Sequence, residues 1–417
     1  MIAVFLAGTG LILLLYGYRY SKIWARFLTV RVLFSQPHIY AGQTGELTEE
    51  IENRKKHPVP VVEIGFRVPK GIRFEGTENI QESDYVYKRD LFAIRGMERI
   101  VRRYRLTAHR RGYYTATQLS CHAPSFLFRE DYILDRRVQE DVPGLYVYAP
   151  WVECGELLRA VEVILGSRES ARRVLEDPFA FASIRDYTPE DPMKTINWKA
   201  SARTGRLMVN TFASTISSGV RIFLDVRMDP EMQYGEEQRE DAVALAASLI
   251  RSLVRKNLDV SLAVNAFVPD AVNEAEPMRN RQGREAGTED GRNRQDGTAA
   301  RGITLFPSAA GGDRMTAIEH FLAADFESAD TVSFADMIAG RESGTTPSGY
   351  GTGNVVQVYI TSSDSPAVRR AVHQSLGTRN SGILAYPVRG SEETGRVQEG
   401  NLCILPLRVR QKEHVPA

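Results

Sequence analysis

The residues best suited to chemistry lie within one run, IRDYTPEDPMKTINWKASARTGRLMVN over 184–210. It gathers Arg185, Asp186, Tyr187, Asp191, Trp198, Ser201, Ala202 and Arg203. A carboxylate with two guanidiniums can bind phosphate or polarise a carbonyl. Covalent or acid–base work asks for an activated nucleophile or a poised base as well, and no His or Cys accompanies these residues. The run therefore reads first as a structural joint. Arg185 and Arg203 pair with Asp186 or Asp191, Tyr187 and Trp198 clamp neighbouring domains with aromatic area, and Leu207-Met208-Val209 begins a strand. The rival reading is a hydrolytic or phosphate-handling centre built on Asp191, Arg185 and Arg203.

Elsewhere the sequence holds little that could react. Cys121, Cys154 and Cys403 lack CxxC spacing, and the 7 histidines form no HExxH or HxH pair, so neither a disulfide framework nor a thiolate or imidazole metal site is expected. No GxxxxGK[ST] loop and no GxSxG elbow occurs. Gly349, Gly351 and Gly353 echo a nucleotide loop but lie in a polar segment that runs into a strand. No cofactor, no metal and no enzymatic activity is expected.

The elements that must position the run follow from length and pattern. A chain of 417 residues is too long for one ordinary core. With 53 Lys and Arg against 52 Asp and Glu, no bulk field draws the molecule to nucleic acid. Residues 1–20 open with an uncharged apolar stretch, Met1 to Tyr18, followed by Arg19, Lys22, Arg26 and Arg31 among Tyr16, Tyr18, Tyr20 and Trp24. This pattern predicts a transmembrane helix with an aromatic belt and a cytoplasmic positive flank, hence a single-pass protein of the cell membrane with its body in the cytoplasm. A cleaved signal peptide would carry its positive charge before the apolar run.

Over 30–150, short β-prone runs alternate with turn signals at Gly42, Gly45, Asn53, Pro58, Pro60 and Gly112, predicting a β-sandwich-like domain. The arginines of Arg99 to Arg111 partly share a period of two with Ile100 and Leu106, as on a solvated strand face. Contact with anionic lipid is the alternative for that face.

Further on, strands and helices alternate. VRIFLD (220–225), DVSLAVNAF (259–267), VVQVYIT (355–361) and GILAYPV (382–388) read as strands. Segments 236–256, 314–324 and 365–376 read as helices, the first with acids early, bases late and apolar residues at helical spacing. Such βαβ order predicts a parallel sheet with helices on both faces and a site at the strand carboxyl ends, near Asp225 and after Thr361. Two polar segments, 268–302 and 341–354, carry too little apolar surface to offset ordering, and the first is expected as a disordered insertion.

The run Arg185-Asp-Tyr187, Pro189, Asp191, Ile196, Trp198, Ala200-Ser-Ala-Arg203 and Leu207-Met-Val209 resembles the signature of domain-of-unknown-function family 58. The sequence departs from it at Glu190, where relatives carry Gly, at Asn197, where they carry Asp, and in having one apolar segment where they often have two. The resemblance implies an α+β multidomain chain: an N-terminal transmembrane helix (1–20), a β-sandwich-like domain (30–150), the motif or joint (165–212), a von Willebrand factor A-like, Rossmann-like α/β domain (213–395) and a C-terminal strand or tail (396–417). In that fold a strand ends in Asp-x-Ser-x-Ser and holds Mg²⁺. Here the positions are Asp225, Arg227 and Asp229, both serines are replaced, and Arg227 opposes a cation, so a degenerate, metal-free site is expected. The family further implies a partner, a MoxR-type AAA+ ATPase, and a scaffold or protein-interaction role in assembling or maturing envelope or other complexes.

Overall fold

A computed structural model describes residues 2–76, 80–82, 85–123, 132–136, 143–172, 181–189, 191, 193–212, 219–228, 235–268, 302–307, 309, 312–326, 329–339, 355–362, 364–376, 381–389 and 395–411. Residues 269–301 of the expected insertion, the segment 341–354, Glu190 and Asp229 lie outside the described residues. The chain divides into two compact units, Met1–Pro150 with Leu322–Asp325, and Trp151–Phe321 with Phe326–Ala417.

The first unit opens with helix α1 (Ile2–Ile23), whose Phe5, Leu6 and Leu11 to Leu15 are exposed. Among the described residues no helix is long and apolar enough to cross a membrane. The expected transmembrane segment forms a helix at the expected place.

Behind it strands build three sheets. One has the order β1 (Leu28–Phe34), β3 (Thr44–Asn53), β8 (Glu98–Ala108), β5 (Ile72–Phe74). The second has the order β11 (Tyr132–Arg136), β10 (Thr117–Ala123), β4 (Val59–Pro69), β7 (Tyr85–Ile94), β6 (Ile80–Glu82). A small third sheet joins β2 (His38–Tyr40), β12 (Leu145–Tyr148) and β9 (Gly112–Tyr114). The architecture is β-sandwich-like, and its cause is visible in β3, where Gly45, Leu47, Glu49 and Ile51 are buried and the residues between them are not. Leu47, Ile51, Val62, Ile64, Ile94 and Leu106 share one core, each contributing about 1.5–3 kcal/mol by burial.

On β8 the arginine charge is met by acids within the unit. Arg99 pairs with Glu50 at 2.9 Å and Arg103 with Glu46 at 3.7 Å, both across to β3, while Arg102 lies over the Phe92 ring at 4.1 Å. The period of two read from the sequence is that of a solvated strand with its own counter-charges.

The second unit begins with α2 (Gly155–Arg172), which the sequence pattern did not single out. Next come β13 (Phe181–Asp186), a 3-10 turn (Met193–Thr195), α3 (Trp198–Thr204) and β14 (Met208–Phe212), the two strands forming a separate antiparallel pair. The main sheet follows, in the order β18 (Thr304–Phe306), β16 (Asp259–Val264), β15 (Gly219–Leu224), β20 (Val356–Ile360), β21 (Gly382–Pro387), β23 (Leu402–Leu407), β22 (Val397–Glu399). Its inner strands are parallel and both edge strands antiparallel. A two-residue strand, β17 (Ala266–Phe267), pairs with β19 (Asp330–Thr331) beside it.

Helix α4 (Gly235–Arg255) buries Ala242, Leu245, Ala246, Leu249, Ile250 and Leu253, the stripe expected of it. Helices α5 (Gly312–Ala323), α6 (Phe334–Ala339) and α7 (Pro366–Leu376) complete the layers, and α6 and α7 pack with Phe223, Tyr359 and Leu384 of the sheet. Two expectations change. The run 259–267 breaks at Asn265, which is spent on the site described below. The segment 396–417, expected as a strand or tail, supplies two strands, β22 and β23, and β23 is buried at every position because it lies inside the sheet.

Candidate functional site

The motif folds as a small frame whose members fall into two groups. Strand β13 pairs with β14 so that Arg185 lies opposite Val209 and Asp186 opposite Met208. From β13 the Arg185 guanidinium reaches both carboxylate oxygens of Asp191, Nη1 to Oδ2 at 2.7 Å and Nη2 to Oδ1 at 2.5 Å. The Thr188 N–H and hydroxyl also donate to Asp191 Oδ2, at 2.9 and 2.8 Å. Four donors on one carboxylate fix the turn from residue 186 to 191. The Arg185 guanidinium, and after it the Thr188 N–H, hold the Asp191 carboxyl well below the usual carboxylate range. A group so saturated is a weak base.

The second half of the frame is tied by Asn197 and Ser201. Asn197 caps α3: its Oδ1 accepts the Ala200 N–H at 2.9 Å, and its Nδ2 donates to Asn210 Oδ1 at 2.7 Å. The helix closes at Gly205, whose φ of 69° is left-handed and whose N–H returns to Ser201 O. Ser201 is buried. Its hydroxyl donates to Asn197 O at 2.8 Å and accepts the Met208 N–H at 2.9 Å, joining α3 to β14. Ile196 and Val209 bridge on the same inner side and are buried. Tyr187 is half-buried, and its N–H donates to Leu207 O at 2.9 Å.

The opposite face of α3 carries the remaining motif residues. Trp198 is 65% exposed, and Ala202 and Arg203 are exposed with it. Positions 198, 199, 202 and 203 of α3 are exposed together, so the indole shares this outer face with Lys199 and Arg203. Two expectations are corrected here. Among the described residues Trp198 stands exposed rather than packed as a clamp, because N1 of a helix whose inner face is Ser201 points outward. Arg203 joins no ion pair with Asp186 or Asp191 among the described residues, because it lies on the outer stripe while Asp191 is held by Arg185. The trio of the enzyme reading is thus not brought together.

At the carboxyl ends of the main sheet a second constellation forms, where strand order placed it. Asp225 follows β15, is buried, and receives Asn265 Nδ2 on Oδ1 at 2.6 Å, Thr361 Oγ1 on Oδ2 at 3.0 Å and the Arg227 N–H on Oδ1 at 3.1 Å. Burial raises the Asp225 carboxyl above its ordinary value, and these hydrogen bonds oppose the rise. Asn265 went unnoticed in the sequence reading. A polar residue directly after the buried run Leu262–Val264 was its signal.

The fold raises the question of a cation here. The orientation of the Asn265 amide is fixed by its backbone partners: Oδ1 accepts the Val226 N–H at 2.8 Å and Nδ2 donates to Val332 O at 3.1 Å. An N–H therefore faces Asp225 where Mg²⁺ would require an oxygen donor. Arg227 follows on the same loop, Asp229 lies outside the described residues, and among the described residues no group of three His, Cys, Asp or Glu is suited to a metal. The described donor set does not fit the ion.

Comparison with known proteins agrees with the motif. The "Uncharacterized protein YeaD" of Bacillus subtilis (strain 168) is 28% identical over 82 residues, covering 20% of this chain and 19% of that protein. The chain thus matches about a fifth of that relative's length. Among solved structures, a CARDB domain from Pyrococcus furiosus in complex with di-metal ions is similar at 17% identity over 27% of this chain and 91% of that chain, with a TM-score of 0.17. Spo0M, a sporulation control protein from Bacillus subtilis, is similar at 11% identity over 38% of this chain and 57% of that chain, also with a TM-score of 0.17. Scores this low carry no functional argument. The second unit, a mixed, mainly parallel α/β sheet, is consistent with a von Willebrand factor A-like fold. Residues 183–345, from β13 through the main-sheet strands β15, β16 and β18, match the family described as "Protein of unknown function DUF58".

Proposed function

We propose that this protein is a non-enzymatic scaffold, held at the cytoplasmic face of a cell membrane by α1, which docks a protein partner through the outer stripe of α3. One observation carries the reading: a rigid hydrogen-bonded frame presents Trp198 to solvent at 65% exposure. Folding gains nothing from an exposed indole, whereas buried Trp and Arg anchors dominate binding energy in protein interfaces. The motif's one fully engaged carboxylate, Asp191, is used in building that frame. The apolar side chains that α1 exposes from Leu11 to Leu15 support the membrane placement.

The partner we propose is a MoxR-type AAA+ ATPase, as resemblance to the family implies, in assembly or maturation of envelope or other complexes. The test is calorimetric titration of such an ATPase into the detergent-purified full chain. Binding that weakens at least tenfold in Trp198→Ala, the size of one hot-spot side chain, supports the reading. Equal affinity of both forms would sink the docking surface. Substrate turnover lost in Asp191→Ala would favour the hydrolase, and flotation with anionic liposomes that Trp198→Ala leaves intact would favour lipid docking.

A further inference from the structure

The interior of the first unit contains charge that the scaffold reading does not use. Glu49 of β3 points between the sheets and is only 1% exposed. Lys88 and Asp90 of β7 are buried facing it from the other sheet, and Tyr104 and Arg102 come from β8. Its neighbour across β1 is Val32, which carries no charge.

The Tyr104 hydroxyl lies 2.8 Å from Glu49 Oε2 and 2.6 Å from Asp90 Oδ2. Both are hydrogen-bond distances, yet a phenol has one proton to donate. If both acids were ionised, one contact would set a carboxylate oxygen against a phenol lone pair in a dry interior, which is repulsive. A second proton must lie in this chain of three oxygens.

The surroundings decide which acid holds it. Asp90 Oδ2 has the Lys88 ammonium at 3.3 Å, and Asp90 Oδ1 has Arg102 at 3.8 Å, so two cations favour its carboxylate. Glu49 Oε1 is buried and has no hydrogen-bond partner, the environment that penalises a charge most.

We propose that Glu49 is protonated in the folded protein and passes a hydrogen bond through Tyr104 to Asp90, so that this proton completes a chain running from β3 through β8 of one sheet to β7 of the other. Glu49 donates to Tyr104 Oη, Tyr104 donates to Asp90 Oδ2, and Asp90 stays ionised against Lys88. On deprotonation the proton leaves to solvent and the chain is broken at the Glu49–Tyr104 contact. Burial, the largest cause, pushes the Glu49 carboxyl from 4.5 up to about 7, and burial also raises the Tyr104 phenol, which keeps its own proton. Because the folded value lies above the unfolded one, the stabilisation is complete below 4.5 and is lost as pH rises through 7. Across that window the unfolding constant of the first unit rises up to about tenfold per pH unit.

Infrared titration of the full chain tests this. At pH near 6, wild type should show one protonated-carboxyl band more than Glu49→Gln, and Asp90→Asn should retain that band. In Tyr104→Phe the band should persist at higher wavenumber, since its acceptor is gone. If Glu49→Gln fails to fold, the Tyr104→Phe shift decides alone. An identical wild-type and Glu49→Gln spectrum, a band lost in Asp90→Asn instead, or a Tyr104→Phe spectrum without a shift would each overturn the assignment.

Discussion

Arg185 and Asp191 meet in a two-pronged ion pair, guanidinium to carboxylate at 2.7 and 2.5 Å, and this pair closes the turn that opens the motif. Only arginine supplies two parallel donors in one plane. Arg185→Lys should therefore behave like Arg185→Ala, with faster amide exchange across residues 185–212 and unchanged exchange in α4. Protection of that stretch in the lysine variant equal to wild type would show that one contact suffices.

Asp191 also sets a pH limit for the frame. Its folded carboxyl is depressed below the ordinary 3.8, chiefly by Arg185. The stabilisation it gives is present above 3.8 and is lost only as pH falls through the depressed value. Amide protection of the motif should hold from pH 7 to about 4 in wild type and be lower throughout in Asp191→Asn, which removes the charge. Hydrogen exchange at several pH values checks this.

Asn197 lets two roles be separated. Asn197→Ala removes the cap of α3 and the bond to Asn210, and should cost about 1–2 kcal/mol in denaturant unfolding. Asn197→Asp keeps the capping oxygen and loses only the amide donor, so it should cost less than half as much. Equal losses would place the stabilisation in the Asn210 bond.

Trp198→Ala should change stability by less than about 0.5 kcal/mol, because the indole is solvated. A large drop in melting temperature would show that Trp198 packs against something, and the docking proposal would lose its anchor.

Asn265→Ala should be the more damaging change. It leaves the Val226 N–H, the Val332 carbonyl and Asp225 Oδ1 each short of a partner, at about 1–3 kcal/mol for each buried group orphaned. Asn265→Asp sets a second carboxylate beside Asp225, and its stability should then rise with added Mg²⁺ while wild type does not respond. Magnesium-dependent melting of the two forms checks both statements.

The amino-acid sequence by itself determined the elements. The strands 220–225 and 382–388 were legible as short continuous apolar runs, and helix 236–256 by its 3.6-residue period, because burial on both faces or on one stripe leaves these marks in the sequence. The alternation of β8 was legible in part, with Arg99, Arg103 and Arg105 exposed and Arg102 turned toward Phe92, and the motif was visible as a set of residues at fixed spacing. Its division was not. Ser201 and Trp198 are three positions apart, yet one is buried in the frame and the other faces water, and only the pairing of β13 with β14 decides which side of α3 is covered. Asn265 meets Asp225 from 40 residues away, and Glu49 and Asp90 share one phenol across two sheets. Local pattern carries the direction in which a side chain leaves its own element, while partners that meet across a core depend on how distant segments stack, which the pattern of any one segment does not contain.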